Sequence, residues 1–280
     1  MYYISSPGKG KTLYLPIYNA TPVFNRYLNK GKRMKNPILE TLAAGEPSIG
    51  SWLNLASPLA AEVMAAAGYQ WLTIDAEHAA FDLGLITHTI RAIESRGAIP
   101  LVRAWDHDPV TLARILDAGA WGIVIPHVST PEQAGELARA MRYPPRGIRS
   151  VGTGRCVTLC PDYRQTFNDA VLCIPQIEDM EGINNAEAIT RVEGIDIGFL
   201  GPGDLALSMG VEAGHPDHET ALQHFREGCQ RAGKPSGIPT QDAASTRKRL
   251  AQGFQFIDLS NDLRFLELTA NQTLKDALAQ

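Results

Sequence analysis

Two carboxylates, Glu178 and Asp204, each stand just past a short apolar run, one after Pro175-Gln176-Ile177 and the other after Phe199-Leu200-Gly201-Pro202-Gly203. Acidic side chains at the ends of neighbouring buried strands can offer oxygens to one cation. Oxygen-only ligation with room for water favours Mg2+ or Mn2+, with Co2+ a third candidate. Arg103 ends the run Ile99-Pro100-Leu101-Val102, where a guanidinium would face a cavity and suit a carboxylate or a developing enolate. Asp75-Ala76-Glu77-His78 follows another apolar run. An aspartate three residues before a histidine can set its tautomer and raise its basicity for acid–base work. His127, after Ile125-Pro126, adds a polar contact, and Gly201 and Gly203 let backbone N–H groups approach an anion. Plainer uses exist for each: Asp204 could cap a helix beginning at Leu205, and Arg103 could only pair with Asp75 or Glu178. Cys156-x-x-x-Cys160 lacks a second pair, which argues against structural zinc.

The elements that would carry these residues repeat one pattern from Gly45 onward. Strands are expected at Ile49–Leu53, Trp71–Asp75, Ile99–Arg103, Gly122–Pro126, Val171–Glu178, Ile195–Leu200, Pro235–Pro239 and Phe254–Leu259. Helices are expected near 58–67, 82–96, 108–118, 130–141, 182–191, 217–232, 243–252 and 262–279. Ser57-Pro58, Asp108-Pro109 and Thr130-Pro131 each place a capping side chain before a proline. Eight strand–helix units predict a (β/α)8 TIM barrel rather than a doubly wound open sheet, since no Gly-x-Gly-x-x-Gly follows the first strand. In a barrel all the strand ends named above open on one mouth, where function collects.

The 280 residues carry a net charge of −4, which disfavours nucleic acid as a partner. No apolar run is long enough to span a membrane. Four cysteines, Cys156, Cys160, Cys173 and Cys229, are too few for a disulfide scaffold, so a reducing, cytoplasmic setting is expected. Charge divides the chain: Met1–Leu39 holds seven basic residues and no acid, which leaves −11 for the remainder. Residues 1–44 read as a basic N-terminal arm and 45–280 as the barrel domain. Gly10-Lys11-Thr12 ends like a phosphate-binding loop, but Ser5 stands where that motif needs glycine.

From about Gly50 to Ser260 the sequence resembles the metal-dependent pyruvate aldolases of the HpcH/HpaI group, the 4-hydroxy-2-oxoheptanedioate aldolase type. The resemblance is carried by Ile49-Gly-Ser-Trp52-Leu, Asp75-Ala-Glu-His78, Val102-Arg103, Leu116-Asp117-Ala-Gly119-Ala, Pro131-Glu-Gln-Ala134, Tyr143-Pro-Pro-Arg-Gly147-Ile-Arg-Ser-Val-Gly152, Gln176-Ile-Glu178 and Gly201-Pro-Gly-Asp204. It implies a metal on Glu178 and Asp204, keto-acid contact by Arg103, and acid–base work by His78 oriented by Asp75. Gln176 would hydrogen-bond near the metal, and the backbone at Gly203-Asp204 would take the pyruvyl carboxylate. Asp117 would serve an adjacent subunit's pocket in a homo-oligomer, a hexamer formed as a trimer of dimers that exchange the last helix. No organic cofactor is implied. His127 looks like the macrophomate synthase branch, and Tyr163 would match a tyrosine of that branch. Trp52, Val151 and Ile238-Pro239-Thr240 are expected to line the aldehyde side or simply to fill the barrel. The expected activity is cleavage or formation of 4-hydroxy-2-oxo acids through a pyruvate enolate, with a 2-oxo acid and an aldehyde as the partners. Oxaloacetate decarboxylation with or without condensation is the alternative. A barrel that has lost catalysis fits less well, because every expected position holds a chemically competent residue.

Overall fold

The computed structural model describes residues 34–279. Six of the arm's seven basic residues, and the Gly10-Lys11-Thr12 turn, lie outside the described residues.

The strands are β1 (Ser48–Leu53), β2 (Trp71–Asp75), β3 (Ile99–Arg103), β4 (Gly122–Ile125), β5 (Leu172–Ile177), β6 (Gly198–Leu200), β7 (Ser236–Thr240) and β8 (Phe256–Asn261). They close into one parallel barrel in chain order, as predicted. The described residues hold α1 (Pro37–Ala43), α2 (Pro58–Ala66), α3 (Leu83–Ser95), α4 (Pro109–Ala118), α5 (Pro131–Ala140) and α6 (Tyr163–Ala170). They continue with α7 (Met180–Asn184), α8 (Ala186–Arg191), α9 (Pro202–Met209), α10 (Pro216–Arg231), α11 (Ala243–Ala251) and α12 (Asp262–Leu278). The three expected caps form: Ser57, Asp108 and Thr130 each accept a first-turn amide, and Thr130 builds a full capping box with Gln133. Each such cap contributes about 1 kcal/mol.

The lumen is closed by aromatic rings from strands that are not neighbours. Phe256 of β8 stacks on Trp71 of β2 at 4.1 Å and meets Phe199 of β6 edge-on at 6.0 Å, while Phe199 stacks on Trp52 of β1 at 5.5 Å. Gly50 of β1 makes space for this layer, since a Cβ there would overlap the Trp71 ring. Truncating a buried ring of this size costs about 3–5 kcal/mol.

The end of the arm belongs to the body. Asn36 caps α1 and also donates to the Ala170 carbonyl at 2.8 Å, and Ile38 is fully buried. Helices α1, α6 and α9 go beyond the expected eight, and the stretch expected as one helix near 182–191 is broken at Asn185 into α7 and α8. Asp204 is not a cap: α9 starts earlier, with Gly201 at its N-cap and Asp204 in its first turn.

Candidate active site

The C-terminal ends of β2 and β3 are in register, Asp75 beside Arg103. Asp75 is buried and takes the guanidinium in a two-pronged grip, accepting from Arg103 Nε at 3.0 Å and Nη2 at 2.7 Å. Such a fork fixes the plane of the cation as well as its position. Arg103 lies over the Trp52 ring at 5.5 Å, so an aromatic face backs it from below. Asn54 donates to Asp75 Oδ2 at 2.7 Å, and the Glu77 and His78 amides donate to Oδ1 at 3.2 Å.

The Asp75–His78 pair expected from the sequence therefore exists only through the backbone. Asp75 is saturated by Arg103, Asn54 and two amides. The His78 ring points outward, 64% exposed, with Glu77 Oε2 at 3.8 Å as its acidic neighbour. Glu77, absent from the expected site, is central to it. Its Oε2 stands 3.1 Å from Arg103 Nη1, and its Oε1 stands 3.2 Å from His127 Nε2. His127 closes the chain of contacts: its amide donates to Glu178 Oε1 at 2.8 Å and its Nδ1 lies 2.9 Å from the same oxygen. His127 adopts a left-handed backbone there, φ 56°, which costs a non-glycine residue on the order of 1 kcal/mol or more.

Glu178 is 4% exposed, and Gln176 donates to its Oε2 at 2.5 Å. Burial pushes its carboxyl above the usual carboxylate range. The Gln176 and His127 donors pull it back, and the charge of Asp204 raises it again. Two carboxylates thus share one field, as ligands of a common cation would. Gly201 is required beside them, since an added Cβ would stand 2.7 Å from Glu178 Cβ. Asp204 is exposed, and α9 has no capping side chain, so the first-turn amides at Gly203 and Asp204 face the mouth uncapped. An added Cβ on Gly203 would meet nothing within 4 Å.

Two histidines given no role by the sequence hold the turns on which the site stands. His107 Nε2 meets the Pro126 carbonyl at 2.6 Å, just before His127. His218 is buried, with Nε2 2.8 Å from the Pro202 carbonyl. Among the described residues no group of three or more His, Cys, Asp or Glu is arranged to hold a metal. A two-carboxylate, all-oxygen set fits a hard dication that keeps most of its sphere for water and substrate oxygens.

Other expected residues lie elsewhere. Asp117 ends α4 and therefore sits at the opposite, N-terminal end of the barrel, where Arg149 Nη2 donates to it at 2.6 Å. Within one chain it cannot join Arg103. Tyr163 is buried against Arg149 and Phe167 rather than in the mouth, and burial drives its hydroxyl pKa far up. Val151 is exposed in the same lower loop, which the Ile148 and Arg149 amides tie to the end of α5. Thr240 spends its hydroxyl on Thr246 and the Asp258 carbonyl, so with Ile238 it serves barrel packing.

The model of the HpcH/HpaI aldolase/citrate lyase family matches residues 48–267. A 5-keto-4-deoxy-D-glucarate aldolase of Klebsiella pneumoniae is 37% identical over 247 residues, covering 86% of this chain and 96% of that one. A solved family member from Burkholderia cenocepacia superposes with a TM-score of 0.84 at 35% identity, over 88% of this chain and all of the other. Macrophomate synthase superposes with a TM-score of 0.79 at 29% identity, covering 89% of this chain and 90% of that one. On this sequence match, and with the barrel mouth that accompanies it, the chain belongs to the HpcH/HpaI aldolase/citrate lyase family.

Proposed function

We propose that this chain is a divalent-metal-dependent carbon–carbon lyase that cleaves or forms 4-hydroxy-2-oxo acids of the 5-keto-4-deoxy-D-glucarate class. The observation that carries the reading is the imbalance at one rim: Asp75 and Glu77 hold a single fixed cation, Arg103, and Glu178 and Asp204 share a second acidic field on the neighbouring strand ends. Glu178 and Asp204 would hold Mg2+ or Mn2+, which when bound supplies Lewis-acid polarisation of the keto oxygen. Arg103, fixed by Asp75 and backed by Trp52, stabilises the charge that grows on that oxygen as the C3–C4 bond breaks. The uncapped amides at Gly203 and Asp204 receive the substrate carboxylate. His78, through water, takes the C4 hydroxyl proton as the aldehyde leaves, and returning a proton to C3 completes pyruvate. Gln176 fixes Glu178, and His127, its ring nitrogens held by Glu77 and Glu178, turns the exposed face of its ring toward the distal part of the substrate.

The chain acts as a homo-oligomer in this reading, with Asp117 serving a neighbour's mouth. Helix α12 supports it: every residue from 266 to 279 is exposed, including Leu266, Leu268, Leu274 and Leu278, an apolar surface suited to exchange between subunits. A reducing, cytoplasmic setting suits the four free, buried cysteines. No helix among the described residues is long and apolar enough to cross a membrane.

The test is pyruvate release from 5-keto-4-deoxy-D-glucarate with and without EDTA. Release that stops on chelation and returns with Mg2+ or Mn2+ is expected; release indifferent to chelation would contradict the reading. A second reading, oxaloacetate decarboxylation with onward condensation, draws on the His127 bridge and on the likeness to macrophomate synthase. CO2 release from oxaloacetate faster than any keto-acid cleavage would favour it.

A further inference from the structure

Asp258 lies in the middle of β8 with the same facing as Phe256, whose contacts with Trp71 and Phe199 cross the lumen. It therefore points into the barrel, one level nearer the mouth, in register with Gly50 of β1 and Pro239 of β7. The residue is 6% exposed, and among the described residues its Oδ1 has no hydrogen-bond partner. Thr73 Oγ1, which faces the same lumen from β2, is likewise unpartnered. The charged groups that act on Asp258 are Arg103 at the end of β3 and Asp75 at the end of β2; Tyr69, just before β2, feels its charge. The flanking strands β1 and β7 carry no titratable side chain.

A carboxylate without a partner is costly in such a place, and a leucine would fill it without penalty. We propose that Asp258 is a positioning residue for Arg103: as a neutral acid beneath the Asp75–Arg103 pair it leaves the guanidinium facing the mouth, and on losing its proton to solvent it draws Arg103 away from the keto oxygen of an incoming keto acid. Burial and the Asp75 charge push its carboxyl well above the usual carboxylate range against the pull of Arg103, so the neutral form is the resting one. The inference rests on the reading that Arg103 holds the keto acid.

The experiment is pyruvate binding to the Mg2+-loaded enzyme by calorimetry, from about pH 6.5 to about pH 9.5, a range above the ordinary aspartate value. For the parent, Kd is expected to rise on the order of tenfold across the range, and for Asp258→Asn and Asp258→Leu by less than about twofold. Asp258→Leu should also melt no lower than the parent, since it removes an unpaired polar group. The same rise in both variants, with Arg103→Ala still weakening binding, would overturn the inference alone. Arg103→Ala binding pyruvate as the parent does would overturn the underlying reading as well. Loss of fold in both Asp258 variants would assign the residue a purely structural task and end the proposal.

Discussion

Both ends of the barrel bury arginine beside carboxylate, and they do it differently. At the N-terminal end the charges are matched one to one: Arg142 with Asp196, Arg149 with Asp117, Arg155 with Glu94. Arg142 also donates to the Ala138 and Asn168 carbonyls, and Asp196 accepts the Cys173 amide at 2.9 Å. Arg149 sits against Tyr143 at 4.6 Å and Phe167 at 4.7 Å. At the C-terminal end, Arg103 faces two carboxylates and has two more beyond them. Charges matched one to one hold a fold together and leave little net field within the chain. An excess of one sign, held rigidly, is a site that awaits the other sign.

The sharpest way to break that contrast is at Arg103. Arg103→Ala is expected to lower kcat/KM per folded molecule by about 10²–10³, the loss typical of one donor to a developing oxyanion, and to cost about 3 kcal/mol in stability, since buried Asp75 loses its partner. A variant that turned over normally would place Arg103 with the matched pairs. Arg142→Met probes the other end, where removing one partner of a buried pair should cost about 3 kcal/mol in chemical denaturation. Turnover per folded molecule should stay at the parent level, and a selective loss of turnover would blur the division. Glu77→Gln is expected to raise KM about tenfold, the size of one lost charge-assisted contact, because it loosens both Arg103 and His127. An unchanged KM would remove Glu77 from the site. The smallest effect belongs to the surface pair that joins α10 to α11. Two bonds of 2.7 Å to Arg249 hold the Glu219 carboxyl down to about 2. A depressed acid stabilises the fold above its unfolded value, near 4.5, and loses that contribution as pH falls through about 2. Exposure limits it to under about 1 kcal/mol. Glu219→Gln should flatten the acid limb of the stability profile only slightly, and a large shift would refute this ranking.

Much of this was legible in the chain. β2 and β3 run over the expected residues, because a charged residue ends each apolar run and marks where the strand meets the mouth. Asp75 pairs with Arg103 and Gln176 with Glu178, each at strand ends that the sequence places at the mouth. The expected β6 runs three residues too long: Ile195 and Ile197 are buried, so their hydrophobicity imitates a strand before the ladder begins. Glu77 could not be told from an ordinary loop acid, since alternation does not reveal which residue past a strand end turns inward. His107 and His218 act on backbone carbonyls far away in sequence, a contact that leaves no local pattern. Tyr163 is expected in the site only through the likeness to the macrophomate synthase branch, and Val151 as a lining residue of the aldehyde side or as packing. The chain between α5 and α6 instead folds back under the barrel through the Arg139 and Arg142 carbonyls. Asp258 carries a signal in the sequence, a lone acid inside Phe256-Ile257-Asp258-Leu259.

Mn2+ binding followed by electron paramagnetic resonance tests directly whether Glu178 and Asp204 answer to one ion. One ion per chain is expected for the parent, with affinity lost in both Glu178→Gln and Asp204→Asn while the fold is retained. Equal Mn2+ affinity in the parent and both variants would contradict it.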